Sequence, residues 1–129
     1  MAEAAKLMAG KRGIVFGVAN NRSIAWGITK ACRDQGAEIA LTYQGDAIKK
    51  RVEPLAAEIG SKLVLLCDVT DEASVEAVFN AFADSWGAID FLVHAVAFSD
   101  KEELDGRYVD TSTDNFTQTL LVSCYSFTA

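Results

Sequence analysis

The stretch Gly17-Val-Ala-Asn-Asn-Arg-Ser-Ile-Ala-Trp-Gly27 decides how the rest of the chain is read. It follows the short apolar run Ile14-Val-Phe16 and precedes an amphipathic pattern, so it marks a turn from a buried strand into a helix. Gly17 can take the positive φ that such a turn requires, and it lets a ligand approach bare backbone. Ser23 stands where an N-cap belongs, which would aim the free N–H groups and the positive end of the helix dipole into the turn. That combination is a phosphate cradle. The common dinucleotide fingerprint is absent, because its second and third glycines are missing after Gly17, and the same residues also fit a plain strand-to-helix connection.

Outward from this turn the pattern repeats. Ile24, Ile28, Ala31 and Cys32 recur at helical spacing up to Gly36, a C-cap glycine, and residues 38–43 read as a second strand closed by Gln44-Gly-Asp46. Residues 47–59 are helical in pattern but contain Pro54, which predicts two short helices or a kink, with the proline in a first turn. Residues 62–67 form a third strand, and Thr70 or Asp71 caps a helix carrying Val75, Val78, Phe79 and Phe82. Residues 89–96 form a fourth strand. A polar stretch, 99–110, leads into a last helix from Ser112.

Strands alternating with helices predict an α/β fold, a doubly wound, Rossmann-type parallel sheet with helices on both faces and strand order 3-2-1-4. No capping residue follows the last helical pattern at Ala129, and no fifth strand is present, so residues 1–129 read as a single dinucleotide-binding domain, the N-terminal half of a larger fold.

A chain of 129 residues, half of them hydrophobic, suffices for one core. Lys and Arg number 12 against 18 Asp and Glu, a net charge of −6 with no basic run longer than the three residues 49–51, so nucleic acid and anionic membrane are not expected partners. The apolar runs 63–67 and 91–98 are far shorter than the roughly 20 residues that span a bilayer. Cys32, Cys67 and Cys124 are widely spaced in apolar patterns, which predicts buried free thiols in a reducing compartment rather than a metal site. Residues 1–11 lack the apolar core of a secretory signal, and a cytoplasmic location is expected.

In a doubly wound sheet, ligands bind outside the carboxyl ends of the strands where strand order reverses. That rule gathers residues 17–24, Gln44, Asp68 with Val69, and 95–99. Backbone and hydroxyl donors of the first stretch suit a pyrophosphate, and Asp68 can accept from the adenine amine beside Val69. The small residues 95–97 can lie against ribose or nicotinamide. At the end of strand two an acidic residue favours NAD and a basic one NADP; neutral Gln44 can bond a free ribose hydroxyl but cannot neutralise a phosphate, which leans toward NADH. Gln44 also fits an exposed turn and Asp68 a helix cap. His94, the one histidine, reads as a satisfied strand residue rather than a catalyst.

The same residues carry a resemblance. Gly17 followed by Ser23-Ile-Ala25, where most relatives have Gly-Ile-Gly, resembles the divergent fingerprint of bacterial enoyl-acyl-carrier-protein reductases, a branch of the short-chain dehydrogenase/reductase superfamily. Leu41-Thr-Tyr-Gln44, Arg51-Val-Glu-Pro54, Cys67-Asp-Val69, Asp90-Phe-Leu-Val-His94, Gly106-Arg-Tyr-Val109 and Tyr125-Ser-Phe127 continue it in order. The resemblance implies reduction of the enoyl double bond of acyl-carrier-protein thioesters in fatty-acid elongation, with NADH as cofactor and a homotetrameric assembly. It also implies that Gly17, Ser23, Ile24, Gln44, Asp68, Val69 and Val96 contact NADH and that Phe98 and Ser99 lie near the acyl substrate. The family's active-site tyrosine and its lysine match no residue of this chain, so no catalytic residue is expected in it and activity is not expected from it alone. Ala97 departs from the family's glycine, and its methyl is expected to narrow the nicotinamide and acyl pocket, or to shift the backbone if the glycine uses a positive φ. Two rival readings are a non-catalytic dinucleotide-binding or redox-sensing module and another short-chain reductase acting on a ketone or alcohol. A gene that continues into the tyrosine and lysine separates the first of these from a reductase.

Overall fold

The computed structural model describes residues 5–129; residues 1–4, the start of the stretch read as too short for a secretory signal, lie outside the described residues. Elements follow in the order β1 (Arg12–Phe16), α1 (Ile24–Asp34), β2 (Glu38–Tyr43), α2 (Asp46–Glu58), β3 (Val64–Leu66), α3 (Glu72–Trp86), β4 (Phe91–His94) and α4 (Thr113–Leu120). Between β4 and α4 run two short 3-10 turns, Lys101–Leu104 and Tyr108–Asp110; α4 continues through a π turn, Leu121–Tyr125, into a last helical turn, Ser126–Thr128. The sheet is parallel with order β3-β2-β1-β4, as the pattern predicts. β3 and β4 are shorter than expected, because only the residues that reach a neighbouring strand keep the ladder.

β1 and β2, at the centre of the sheet, are buried on both faces, which is why they read as near-continuous apolar runs rather than alternating ones, while β3 and β4 are only partly buried. Val15, Ile39 and Leu41 meet Trp26 of α1 and Val52 and Ala56 of α2 on one face. Ile14, Phe16 and Ala40 meet Val78 and Phe82 of α3 on the other. Gly13, buried in β1, makes room for the ring of Phe91 across the β1–β4 pair: a Cβ there would overlap it.

Arg12 braces the sheet at the amino ends of the strands. Its Nε donates to Glu38 Oε2 at 3.1 Å, its guanidinium lies 5.7 Å above the Trp86 ring, and its backbone N–H donates to Asp90 Oδ2 at 2.8 Å.

Three expectations are corrected, and one choice between alternatives is decided. In α1 the buried face is Ala25, Trp26 and Thr29, while Ile24 is 82 % exposed. Ile24, the first residue of the helix, belongs to neither of the apolar clusters that pack on the sheet. α2 is one continuous helix with Pro54 in its interior rather than its first turn; Pro54 is exposed, and water can serve the Lys50 carbonyl that loses its amide partner. Of the cysteines only Cys67 is buried, Cys32 being half-buried and Cys124 exposed. Asp71, not Thr70, caps α3, accepting from Ala73 N–H at 3.0 Å.

Candidate functional site

The carboxyl ends of all four strands open into one groove of about 190 Å³, lined by Gly17, Val18, Ala19, Tyr43, Gln44, Ile48, Cys67, Val69, Ala95, Val96 and Ala97, with Phe16 and Thr42 at its base. Four residues picked from separate stretches of sequence, Gly17, Gln44, Val69 and Val96, therefore meet there. Gly17 has φ +107°, and a Cβ at this position would overlap the Ala95 carbonyl, so only glycine lets β1 turn this close to the end of β4.

The turn after Gly17 holds its shape through bonds of its own. Ser23 occupies the N-cap position of α1, but its hydroxyl does not bond into the helix. It turns back instead, accepting from the N–H groups of Ala19 (3.0 Å) and Asn20 (3.1 Å), while Asn20 Oδ1 accepts from Arg22 N–H at 2.8 Å. This corrects the expected cap and leaves a better cradle. The helix's own bonds begin with Trp26 and Gly27 donating to Ser23 O. Among the described residues the N–H groups of Ile24 and Ala25 make no bond, and the Ser23 proton is still available to an acceptor.

Asp68 sits beside the groove rather than in its lining. Its Oδ1 accepts from the Thr70 hydroxyl (2.6 Å) and the Thr70 N–H (2.9 Å). These two bonds, the hydroxyl first, hold its carboxyl below the usual range against a small opposing effect of burial. Oδ2 is left to accept elsewhere. Cys67 lies in the lining, and burial, with the Asp68 charge adding to it, pushes its thiol up to about 11, so it is an inert wall rather than a nucleophile.

Ser23 and Ile24, like Asp68, do not line the groove, and neither do Phe98 and Ser99. Phe98 is 46 % exposed, and Ser99 lines a neighbouring cavity of about 430 Å³ with Asn115, Phe116 and Leu120. The Ser99 hydroxyl accepts from Asn115 Nδ2 and from Thr119 Oγ1, both at 3.2 Å. Ala97 is exposed at the groove's rim and does not have a positive φ, so the methyl in place of glycine costs no backbone strain here. His94 is satisfied as expected: its Nε2 lies 2.8 Å from Ser126 Oγ, and its ring meets Phe127 edge-on at 5.4 Å.

Sequence reading missed Tyr43 and Ile48, which form an apolar side of the groove. The available signal was positional: Tyr43 immediately precedes Gln44 at the end of β2, and Ile48 lies in the first turn of α2 facing back over it.

The donor set suits a dinucleotide. Free backbone N–H groups and a hydroxyl at a helix N-terminus fit a pyrophosphate, and Ile48, Val69 and Tyr43 offer apolar surface to a base. Neutral Gln44 can bond ribose hydroxyls, and among the described residues no carboxylate lines the groove to repel phosphate.

Comparison with known proteins agrees with this chemistry. The family model described as Enoyl-(Acyl carrier protein) reductase matches residues 17–129. Enoyl-(acyl-carrier-protein) reductase (NADH) 1 of Rhizobium meliloti (strain 1021) is 66 % identical over 129 residues, 100 % of this chain and 47 % of that protein. The reductase of Anaplasma phagocytophilum, solved in complex with NAD, superposes with a TM-score of 0.93 at 56 % identity, covering 99 % of this chain and 49 % of that one. That of Bacillus cereus, solved with NADP+ and indole naphthyridinone, gives 0.92 at 38 % identity, covering 95 % and 49 %. The chain spans about half the length of the curated relatives it matches.

Proposed function

The chain belongs to the enoyl-(acyl carrier protein) reductase family, and from that premise we propose that it forms the dinucleotide-binding domain of an enzyme that reduces the enoyl double bond of acyl-carrier-protein thioesters with NADH. The observation that carries this reading is the convergence of Gly17, Gln44, Val69 and Val96 on one groove, next to an α1 N-terminus whose first N–H groups are free.

In this reading the N–H groups of Ile24 and Ala25 and the hydroxyl of Ser23 hold the pyrophosphate. Gln44 bonds the adenosine ribose, and Asp68 Oδ2 accepts from the adenine amine while Val69 packs on the ring. Val96 flanks the nicotinamide end, and Phe98 and Ser99 border the acyl chain. Bound NADH supplies the hydride. This chain's residues bind and orient it, and no catalytic residue is assigned among them; the tyrosine and lysine of the family match none of its residues.

Phe116, Leu120, Leu121 and Tyr125 leave an apolar strip exposed along α4 and the π turn, which supports an assembly between copies, a homotetramer. No helix among the described residues is long and apolar enough to cross a membrane. With a net charge of −6 as well, a cytoplasmic enzyme acting on a carrier-bound substrate is the reading that fits.

The test is reduction of crotonyl thioester with NADH and, separately, NADPH, by residues 1–129 and by the full-length gene product. NADH-dependent turnover by the long protein and NADH binding without turnover by the short one are expected. Turnover by residues 1–129, or no NADH binding by either, overturns the proposal.

A further inference from the structure

The last sheet bond of β4 is donated by Ala95 N–H to Phe16 O at 3.1 Å. Beyond it the backbone leaves the sheet and, with Val96 and Ala97, builds the far wall of the groove. Phe98 belongs to no strand or helix, yet its polar groups are held on both sides. Ser123 Oγ accepts from Phe98 N–H at 3.0 Å and donates to Phe98 O at 3.2 Å. One hydroxyl thus does for this residue what a neighbouring strand does inside a sheet.

The same helix grips the residues that follow. Asn115, 7 % exposed, accepts from Asp100 N–H at 2.8 Å and donates to Ser99 Oγ, which Thr119 also reaches. Helix and loop run in opposite directions, so Asn115 meets Asp100, Thr119 meets Ser99, and Ser123 meets Phe98. Ser123 stands in the π turn Leu121–Tyr125, a local widening of the helix of a kind that recurs at functional sites.

We infer that Ser123 is a positioning residue for the groove: by holding both polar groups of Phe98 it fixes the path of residues 96–98, and with it the wall that Val96 and Ala97 present to the cofactor. The inference rests on the reading of the groove as an NADH site. A hydroxyl is needed because it can accept from an N–H and donate to a C=O from a single atom. An alanine there leaves the Phe98 peptide to water and the wall without its tether. Phe98 is half exposed and adds little to the core, so the effect falls on binding rather than on folding.

The experiment compares Ser123→Ala, Ser123→Thr and Ser123→Cys with the wild type in the full-length protein, reading NADH affinity by fluorescence titration, KM for NADH against kcat, and thermal unfolding. Ser123→Ala should raise the Kd and KM for NADH by about tenfold, the scale of one or two hydrogen bonds, with a smaller change in kcat and near-normal unfolding. Ser123→Thr, which keeps the hydroxyl, should restore both constants. Should Ser123→Ala fail to fold, Ser123→Cys keeps the volume with a weak donor and carries the same expectation. Wild-type Kd and KM in the folded Ala or Cys variant, or no restoration by Thr, overturn the positioning role. A wild-type protein that does not bind NADH overturns the cofactor reading itself.

Discussion

Gly17 concentrates two demands at one residue. A side chain there meets both the strain of φ +107° and the Ala95 carbonyl. Gly17→Ala should therefore cost roughly 1–3 kcal/mol from the backbone alone, and more from the overlap. Thermal unfolding is expected to show a lowered Tm and titration a weakened NADH affinity. Cys67 makes a different prediction. Its thiol ionises near 9 when unfolded but is held to about 11 in the fold, so the stability it contributes is complete below the unfolded value and is lost as pH rises from about 9 to about 11. Urea midpoints across that window should fall, and Cys67→Ala should flatten the fall. Gly17 was legible because a glycine between an apolar run and a helix has few other reasons to stand there. The turn of Ser23 back into its loop was not legible, since a cap and an inward-turned hydroxyl require the same residue at the same place.

Among the elements, α2 shows how far local rules reach. A proline inside a helix costs about 3 kcal/mol relative to alanine in a peptide, yet α2 runs through Pro54 because Val52, Ala56 and Ile59 are buried on either side of it. Pro54→Ala restores the bond to the Lys50 carbonyl on an exposed face and should raise the Tm, with a gain below that peptide figure because proline also stiffens the unfolded chain. Strand order, the strand-to-helix alternation and the corners of the groove were readable because period and turn chemistry are written locally. The buried face of α1 was not, because it depends on how the helix lies against the sheet. Thr29 completes that face only by hiding its hydroxyl in a 2.8 Å bond to Ala25 O. The π turn was equally hidden, for its spacing differs from that of an α-helix by a single residue per turn.

At the scale of the whole molecule, two apolar layers pack on the sheet, and an apolar strip on α4 and the turn after it is left exposed. The full-length protein should thus run as an oligomer in light scattering; a monomer would remove the assembly from the proposal. The Arg12 corner sets the last point. It ties β1 to Glu38 and to the residues flanking β4 at one end of the strands, while every residue of the groove stands at the other. The ion pair and the cation–π contact that brace the frame thus stand away from the groove, whose own loops are held by local bonds such as those of Ser23 and Asp68. Substitutions at groove residues outside these bonds, Gln44 among them, can then accumulate without loosening the fold, which leaves the groove free to drift from one ligand preference to another over evolutionary time.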